Sequence, residues 1–311
     1  MIHNLSIETI GGVADPKGLL ADPDFKSKWI EGMTDDEYHA DKTALGSSTI
    51  RIALMESLRA MYWAFFMGKK KPETPSMVRG RIIHMALLER QKFLERYRVM
   101  PSFTGRTLDG KESTRSKEAQ DKKAKWLADL PPGSQVVSED DLEMIENVAK
   151  SIGEDSYIMD VLRKSYVESI GYYRDPKTNL RLKIKPDFVA MDGSFIGDLK
   201  TTDSSDEFRW GKSFASFRYD FQLFMQAEGI FHIAGVRPKR YFLIMVQAKW
   251  PYESALVNIQ IPTIENCRDE YNKVLGDIRK AVDSGVWAKK YNDVRQVLLT
   301  DDFINRQTRE M

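Results

Sequence analysis

Cysteine is nearly absent from this 311-residue chain, which has only Cys267. A disulfide framework, a four-cysteine zinc site and a cysteine-held iron–sulfur cluster are thereby excluded. There is no run of about 18 apolar residues, the length that crosses a bilayer as a helix. The first residues, MIHNLSIETIGG, lack the basic start and apolar stretch of a secretion signal. These absences predict a cytoplasmic protein with no membrane partner. Net charge is scarce as well: 47 basic residues against 46 acidic ones leave +1. Binding that relies on global positive charge is excluded, and any polyanion has to be held by local patches. No segment repeats.

The 42% of hydrophobic residues can bury a sizeable core in one or two domains. Residues 1–34, with Gly11-Gly12, Pro16 and Pro23 as breakers, read as a poorly structured segment. LGSSTIRIALMESLRAMYWAFFMG predicts a helix capped by Ser47 or Ser48, with Ile50, Leu54, Leu58 and Met61 inward. SMVRGRIIHMALLERQKFLERY predicts a second, with Ile83, Leu87 and Leu88 inward. Residues 102–125 hold seven basic and four acidic residues with few apolar anchors, and read as a mobile, mildly basic segment running into a helix. A further capped helix begins near Ser138. Strands follow at 166–174, 180–191 and 194–202, then a helix over 217–235, two apolar strands and a long last helix. The order predicts an α/β (α+β) fold: a small mixed sheet flanked by helices, with a helical N-terminal part. Residues 35–265 form the main domain and 266–311 a helical segment packed on it.

IKPDFVAMDGSFIGDLK, residues 184–200, reads as a hairpin turning at Asp192-Gly193, both with φ > 0. The register then sets Val189 opposite Ile196, Asp187 opposite Asp198 and Lys185 opposite Lys200, all on one face. Two carboxylates about 5 Å apart repel by roughly 3 kcal/mol at an effective dielectric near 20. A favourable cross-strand pair returns only about 0.2–1 kcal/mol. A shared proton, a lysine or a metal ion must offset the repulsion. With Glu168 on the preceding strand, three carboxylates and a lysine suit Mg²⁺ and phosphate chemistry.

KPDF…GDLKT resembles the P-D…D-x-K core of the PD-(D/E)xK nuclease superfamily. The ordered set over residues 33–262 resembles its exodeoxyribonuclease VIII (RecE-like) branch and phage relatives. MTDDEYHAD…LGSSTIRIAL is similar to the branch's tyrosine-histidine and serine-led helix. MVRGRIIHMALLE is similar to its glycine-x-x-x-histidine helix ending in leucine-glutamate, VESIGYYRD to its acidic strand, and FRYDFQLFMQAEG to its tyrosine-x-x-glutamine helix. Gln226 stands where the related glutamine-x-x-x-tyrosine motif has tyrosine, and MESLRAMYW where relatives carry Ser-Pro.

The resemblance implies a restriction-endonuclease-like core and an Mg²⁺-dependent deoxyribonuclease, with Mn²⁺ able to substitute. It implies a processive 5′→3′ double-strand exonuclease of phage-type recombination. Such an enzyme is a ring-like homo-oligomer acting on duplex ends with a single-strand annealing recombinase. Glu168, Asp187, Asp198, Lys200 and Gln222 become catalytic. His84, Glu168, Asp187, Asp198 and the Leu199 carbonyl become metal ligands. Lys69, Lys70, Lys71, Lys185 and Tyr219 become DNA contacts. Alternatives are an endonuclease or a nuclease of other polarity on the same core, a non-catalytic DNA-binding or assembly protein, and an acid/base enzyme whose aspartates share a proton.

Overall fold

The continuous apolar run of residues 240–247 and its neighbour at 195–202 build the two longest strands, and the rest of the sheet grows around them. The computed structural model describes residues 14–22, 24–69, 72–107 and 111–291. The chain opens with a 3-10 turn, Pro16–Leu20, and strand β1 (Lys28–Ile30). Helices α1 (Asp35–Ala40), α2 (Ser47–Met55), α3 (Leu58–Phe65), α4 (Pro75–Leu88) and α5 (Arg90–Arg96) follow. Next come β2 (Tyr97–Val99), β3 (Gly105–Arg106), β4 (Glu112–Ser113), α6 (Lys117–Ala128), β5 (Gln135–Val137), α7 (Glu139–Glu154) and α8 (Ser156–Arg163). The central strands are β6 (Ser165–Val167), β7 (Ile170–Arg174), β8 (Arg181–Ile184), β9 (Phe188–Ala190) and β10 (Phe195–Thr202). The remainder is α9 (Glu207–Phe217), α10 (Tyr219–Ala234), β11 (Arg240–Gln247), β12 (Ser254–Ile259), α11 (Ile261–Glu265) and α12 (Arg268–Ser284).

The main sheet is mixed, in the order β12-β11-β10-β9-β6, with only β10 and β11 parallel. A second sheet runs β1-β7-β8. One face of β10 and β11, with Ile196, Leu243 and Met245, packs on α2, α10 and α12 through residues such as Ile50, Phe224 and Ile278. The other, with Phe195, Leu199 and Ile244, packs on α4, α7 and α8 through Ile83, Val148 and Ile158. This is the predicted α/β arrangement of a small mixed sheet between helices. Among the described residues no helix is long and apolar enough to cross a membrane.

Several boundaries differ from the sequence reading. Part of the segment read as poorly structured is built in: Leu19 is fully buried and β1 pairs with β7. Gly46, rather than a serine side chain, caps α2. The first predicted helix breaks after Met55 because the Ser57 hydroxyl caps the amide of Ala60 and restarts the chain as α3. The strand predicted over 166–174 splits at Glu168, and the helix predicted over 217–235 begins at Tyr219, after Arg218 takes a left-handed φ of 52°. The capping box at Ser138 forms as expected, with Asp141. In the hairpin, Val189 pairs with Ile196 as predicted, but the turn is a four-residue loop in which only Gly193 has positive φ. The amide of Gly193 reaches back to the Ala190 carbonyl at 2.9 Å, which closes the loop without a positive φ at Asp192.

Candidate active site

Two strand breaks place the carboxylates. The chain crosses from the main sheet to the smaller one between β6 and β7, and returns between β8 and β9. Glu168 sits at the first crossing with φ 52°, a left-handed conformation uncommon for a residue with a side chain. Asp187 sits at the second, after Pro186. Because Pro186 has no amide proton to give a ladder, a strand break there is unsurprising. The two crossings are stitched together, since the Glu168 amide donates to the Asp187 carbonyl at 3.0 Å. Both carboxylates therefore project at the seam between the sheets.

Helix α4 brings His84 to this seam. Its Nε2 lies 2.9 Å from Asp187 Oδ2 and 3.3 Å from Glu168 Oε1. Gly80, one turn earlier, permits the approach: a Cβ there would meet Thr201 Oγ1 at 3.0 Å. Asp187 Oδ2 also accepts the Leu199 amide at 2.7 Å, which ties the two hairpin strands just past their paired residues. Asp198 points to the α10 side of β10. Its Oδ1 accepts from Gln222 Nε2 at 2.5 Å and its Oδ2 meets the Lys200 ammonium. Lys200 also donates to Gln222 Oε1 at 3.3 Å and lies 4.5 Å from the centre of the Tyr219 ring. Tyr219 and Gln222 share the first turn of α10, so one helix face serves Lys200 twice.

The electrostatics follow from burial and crowding. Burial and the Asp187 charge push Glu168 up to about 7 and Asp198 up to about 6. Asp187 is held below the ordinary carboxylate range: burial would raise it, but the His84 imidazole, Lys200 and the Leu199 amide outweigh burial. Burial would likewise lower His84, yet Asp187 and Glu168 raise it to about 9. Lys200 is raised, its desolvation offset by Asp198 and Asp187.

The donor set fits a hard divalent cation. His84, Glu168 and Asp187 each offer a ligand atom, and the three atoms lie within 4.8 Å of one another. Glu168 Oε1 is buried and makes no hydrogen bond, although His84 Nε2 stands 3.3 Å away, and a cation between the two would satisfy both. One imidazole nitrogen with carboxylate oxygens suits Mg²⁺ or Mn²⁺. Asp198 stands next to this group, with its oxygens turned to Gln222 and Lys200.

Not every predicted contact is brought together. The ladder of β9 ends at Phe188, so Lys185 does not sit opposite Lys200. Lys185 is instead sunk among acids. It bonds Asp35 Oδ1 at 2.5 Å, pairs with Glu168, and lies 3.9 Å from Glu89 Oε2. Its ammonium is thus engaged by carboxylates inside the site. Lys69 is exposed near the Trp63 ring, with 5.9 Å between ammonium and centroid. Lys70 and Lys71 lie outside the described residues. Gln226, where a tyrosine was expected, is buried and donates to the Lys185 carbonyl at 3.4 Å.

The sequence reading gives three further residues no role. Asp35 opens α1 within a run of acids that reads as helix capping, and Glu89 ends the His84 helix; both face Lys185. Arg51 of α2 donates to the Phe217 carbonyl at 2.6 Å, close enough to feel the Asp198 charge, and only its helix position signals it.

Comparison with known proteins bears on this geometry. Residues 52–295 match the model of a family described as a PDDEXK-like domain of unknown function (DUF3799). No curated protein matches the chain. A crystal structure from Eubacterium rectale described as "Putative exonuclease" superposes with a TM-score of 0.57 at 13% identity. It covers 91% of this chain and 100% of its own, a likeness of fold. The structure of SSO0001 covers 49% of this chain and 71% of its own at 12% identity, with a TM-score of 0.25, and carries no argument.

Proposed function

The chain belongs to the PDDEXK-like domain family, and from that premise we propose that it is a divalent-metal-dependent deoxyribonuclease that degrades DNA from duplex ends. The observation that carries the reading is the meeting of His84, Glu168 and Asp187 at the sheet seam, with the Asp198–Lys200–Gln222 group directly behind it. His84, Glu168, Asp187 and Asp198, with the Leu199 carbonyl, are the groups to hold Mg²⁺ or Mn²⁺. Such a cation supplies Lewis-acid charge at the phosphate and acidifies its water. The chain's own residues do the rest. Lys200, raised and still charged, faces charge developing on phosphorus; Gln222 fixes both Lys200 and Asp198; the Tyr219 ring limits where the ammonium can go. The exonuclease mode draws on the ordered motifs shared with the RecE-like branch. The same likeness supports 5′→3′ polarity, a ring-like homo-oligomer and an annealing partner in phage-type recombination.

End-labelled linear duplex and closed circular duplex, each with Mg²⁺ and with chelator, test the reading. Metal-dependent loss of label from the linear form, with the circle intact, is expected. Linearised circles point to an endonuclease on the same core, and cleavage in chelator overturns the metal-dependent mechanism.

A further inference from the structure

Beyond Lys200 the site continues into a cleft of about 290 Å³ that the proposed chemistry leaves unused. Arg79, Thr201, Thr202, Arg209, Phe217 and Tyr219 line it. Thr201 and Thr202 directly follow Lys200 on β10, so the cleft begins where the reacting phosphate would end. An aromatic path leads out along it. Lys200 lies on the Tyr219 ring, and Tyr219 stacks on Phe217 with centroids 5.8 Å apart and planes 22° apart. Phe217 itself is 55% exposed. It ends α9, which packs on the core through Trp210 and Phe214, whereas Phe217 is not among the side chains packed there.

The charges of the cleft are uneven. Among the described residues half-buried Arg79 has no acidic partner or hydrogen bond, although it lies just over a turn from His84 on α4. Asp203 on the rim is taken by Lys249 at 3.1 Å. Arg209 meets Asp206 only at 3.8 Å, and both are exposed, so that pair is worth little. An exposed aromatic ring beside a guanidinium without a counter-ion matches a nucleobase next to a phosphate. Bases of any sequence stack on aromatic rings, and arginine recognises phosphate through paired N–H donors.

We propose that this cleft seats an unpaired nucleotide next to the scissile phosphate, its base on Phe217 and its flanking phosphate at Arg79. A base can lie on Phe217 only after leaving its own stack. The inference rests on the nuclease reading and narrows its substrate class to strand ends with unpaired or readily frayed nucleotides.

The test uses two duplexes that carry 2-aminopurine at the terminal position, one with that nucleotide unpaired and one blunt. Binding and emission are measured with the full chain in chelator and in Ca²⁺. The unpaired base is expected to be quenched on binding. Phe217→Ala relieves the quenching and weakens binding of the unpaired end about tenfold, whereas Phe217→Trp keeps both. Affinity for the blunt end falls much less in Phe217→Ala. Arg79→Gln lowers the log–log salt slope for the unpaired end by about 0.7. Quenching unchanged by Phe217→Ala, or equal losses for the two ends, overturns the inference while metal-dependent cleavage leaves the nuclease reading standing. Wild-type protein that neither binds nor cleaves DNA overturns both.

Discussion

A lysine buried against carboxylates can serve as a counter-ion or as a catalyst, and substitution separates the two. If Lys200 only neutralised Asp198, removing it would leave a buried charge without its partner and the loss would appear in stability. A catalytic ammonium interacts more strongly with the transition state than with bound DNA, and its loss appears in the rate. We expect Lys200→Ala to bind DNA ends at near wild-type affinity and to lose roughly 10²–10³ in single-turnover rate, the usual cost of one such donor. A wild-type rate at saturating DNA would remove Lys200 from the chemistry. His84 gives a complementary case. A histidine on an apolar helix is commonly a core residue, yet this one is partly exposed and its Nε2 faces two carboxylates. His84→Asn is expected to lower Mn²⁺ affinity and activity together while leaving the unfolding midpoint in chelator close to wild type. The opposite pattern, with a lower midpoint and full activity per folded molecule, would return it to the core.

Between elements, Asp41 joins the end of α1 to the small sheet. Its carboxylate accepts from the Thr43 amide and hydroxyl, both at 2.7 Å, and from the Tyr172 hydroxyl at 2.8 Å. Burial would raise its pKa, but these bonds and Lys183 bring it below the ordinary value. A depressed carboxylate stabilises the fold above its unfolded pKa and loses that contribution as pH falls through the folded value. Asp41→Asn should therefore be less stable than wild type at neutral pH. The gap should close on acidification below about pH 4, the unfolded carboxylate range. Urea midpoints across that interval measure it, and a gap independent of pH would mean that Asp41 contributes shape alone. The same scale shows what the sequence could disclose. Period-2 alternation fixed Val189 opposite Ile196, and helical spacing found Ile50, Met61 and Ile83, because local pattern and tertiary burial agree at these positions. The splits at Glu168 and Arg218 were illegible, since a left-handed φ at a residue other than glycine or asparagine is imposed by the tertiary frame. Lys185 was misplaced for the same reason: a ladder extrapolated past Phe188 ignores the change of sheet. Asp35 was hidden because a first-turn acid already has a local explanation in helix capping.

At the scale of the whole molecule, the proposed site is a buried charge cluster that the fold holds against its own electrostatics. Glu168 and Asp198 are both raised, by burial and by Asp187, so the folded state favours their neutral forms. Neutralising one of them should relieve that opposition when no metal is present. Asp198→Asn is the sharper choice, because Glu168 also supports Lys185. In chelator its melting temperature is expected to equal or exceed that of wild type. With metal the order reverses. A ligand at 100 times its dissociation constant stabilises the native state by about 2.7 kcal/mol. For a chain of this size that corresponds to a rise of roughly 4 °C. Wild type should show this rise with Mn²⁺, and Asp198→Asn should lose most of it. Melting curves of both proteins in chelator and in Mn²⁺ give all four values. A variant less stable than wild type in chelator would show that the Asp198–Lys200–Gln222 contacts outweigh the repulsion and that the carboxylate belongs to the scaffold. An undiminished Mn²⁺ shift in the variant would place the cation with His84, Glu168 and Asp187 alone, and Asp198 would then act through Lys200.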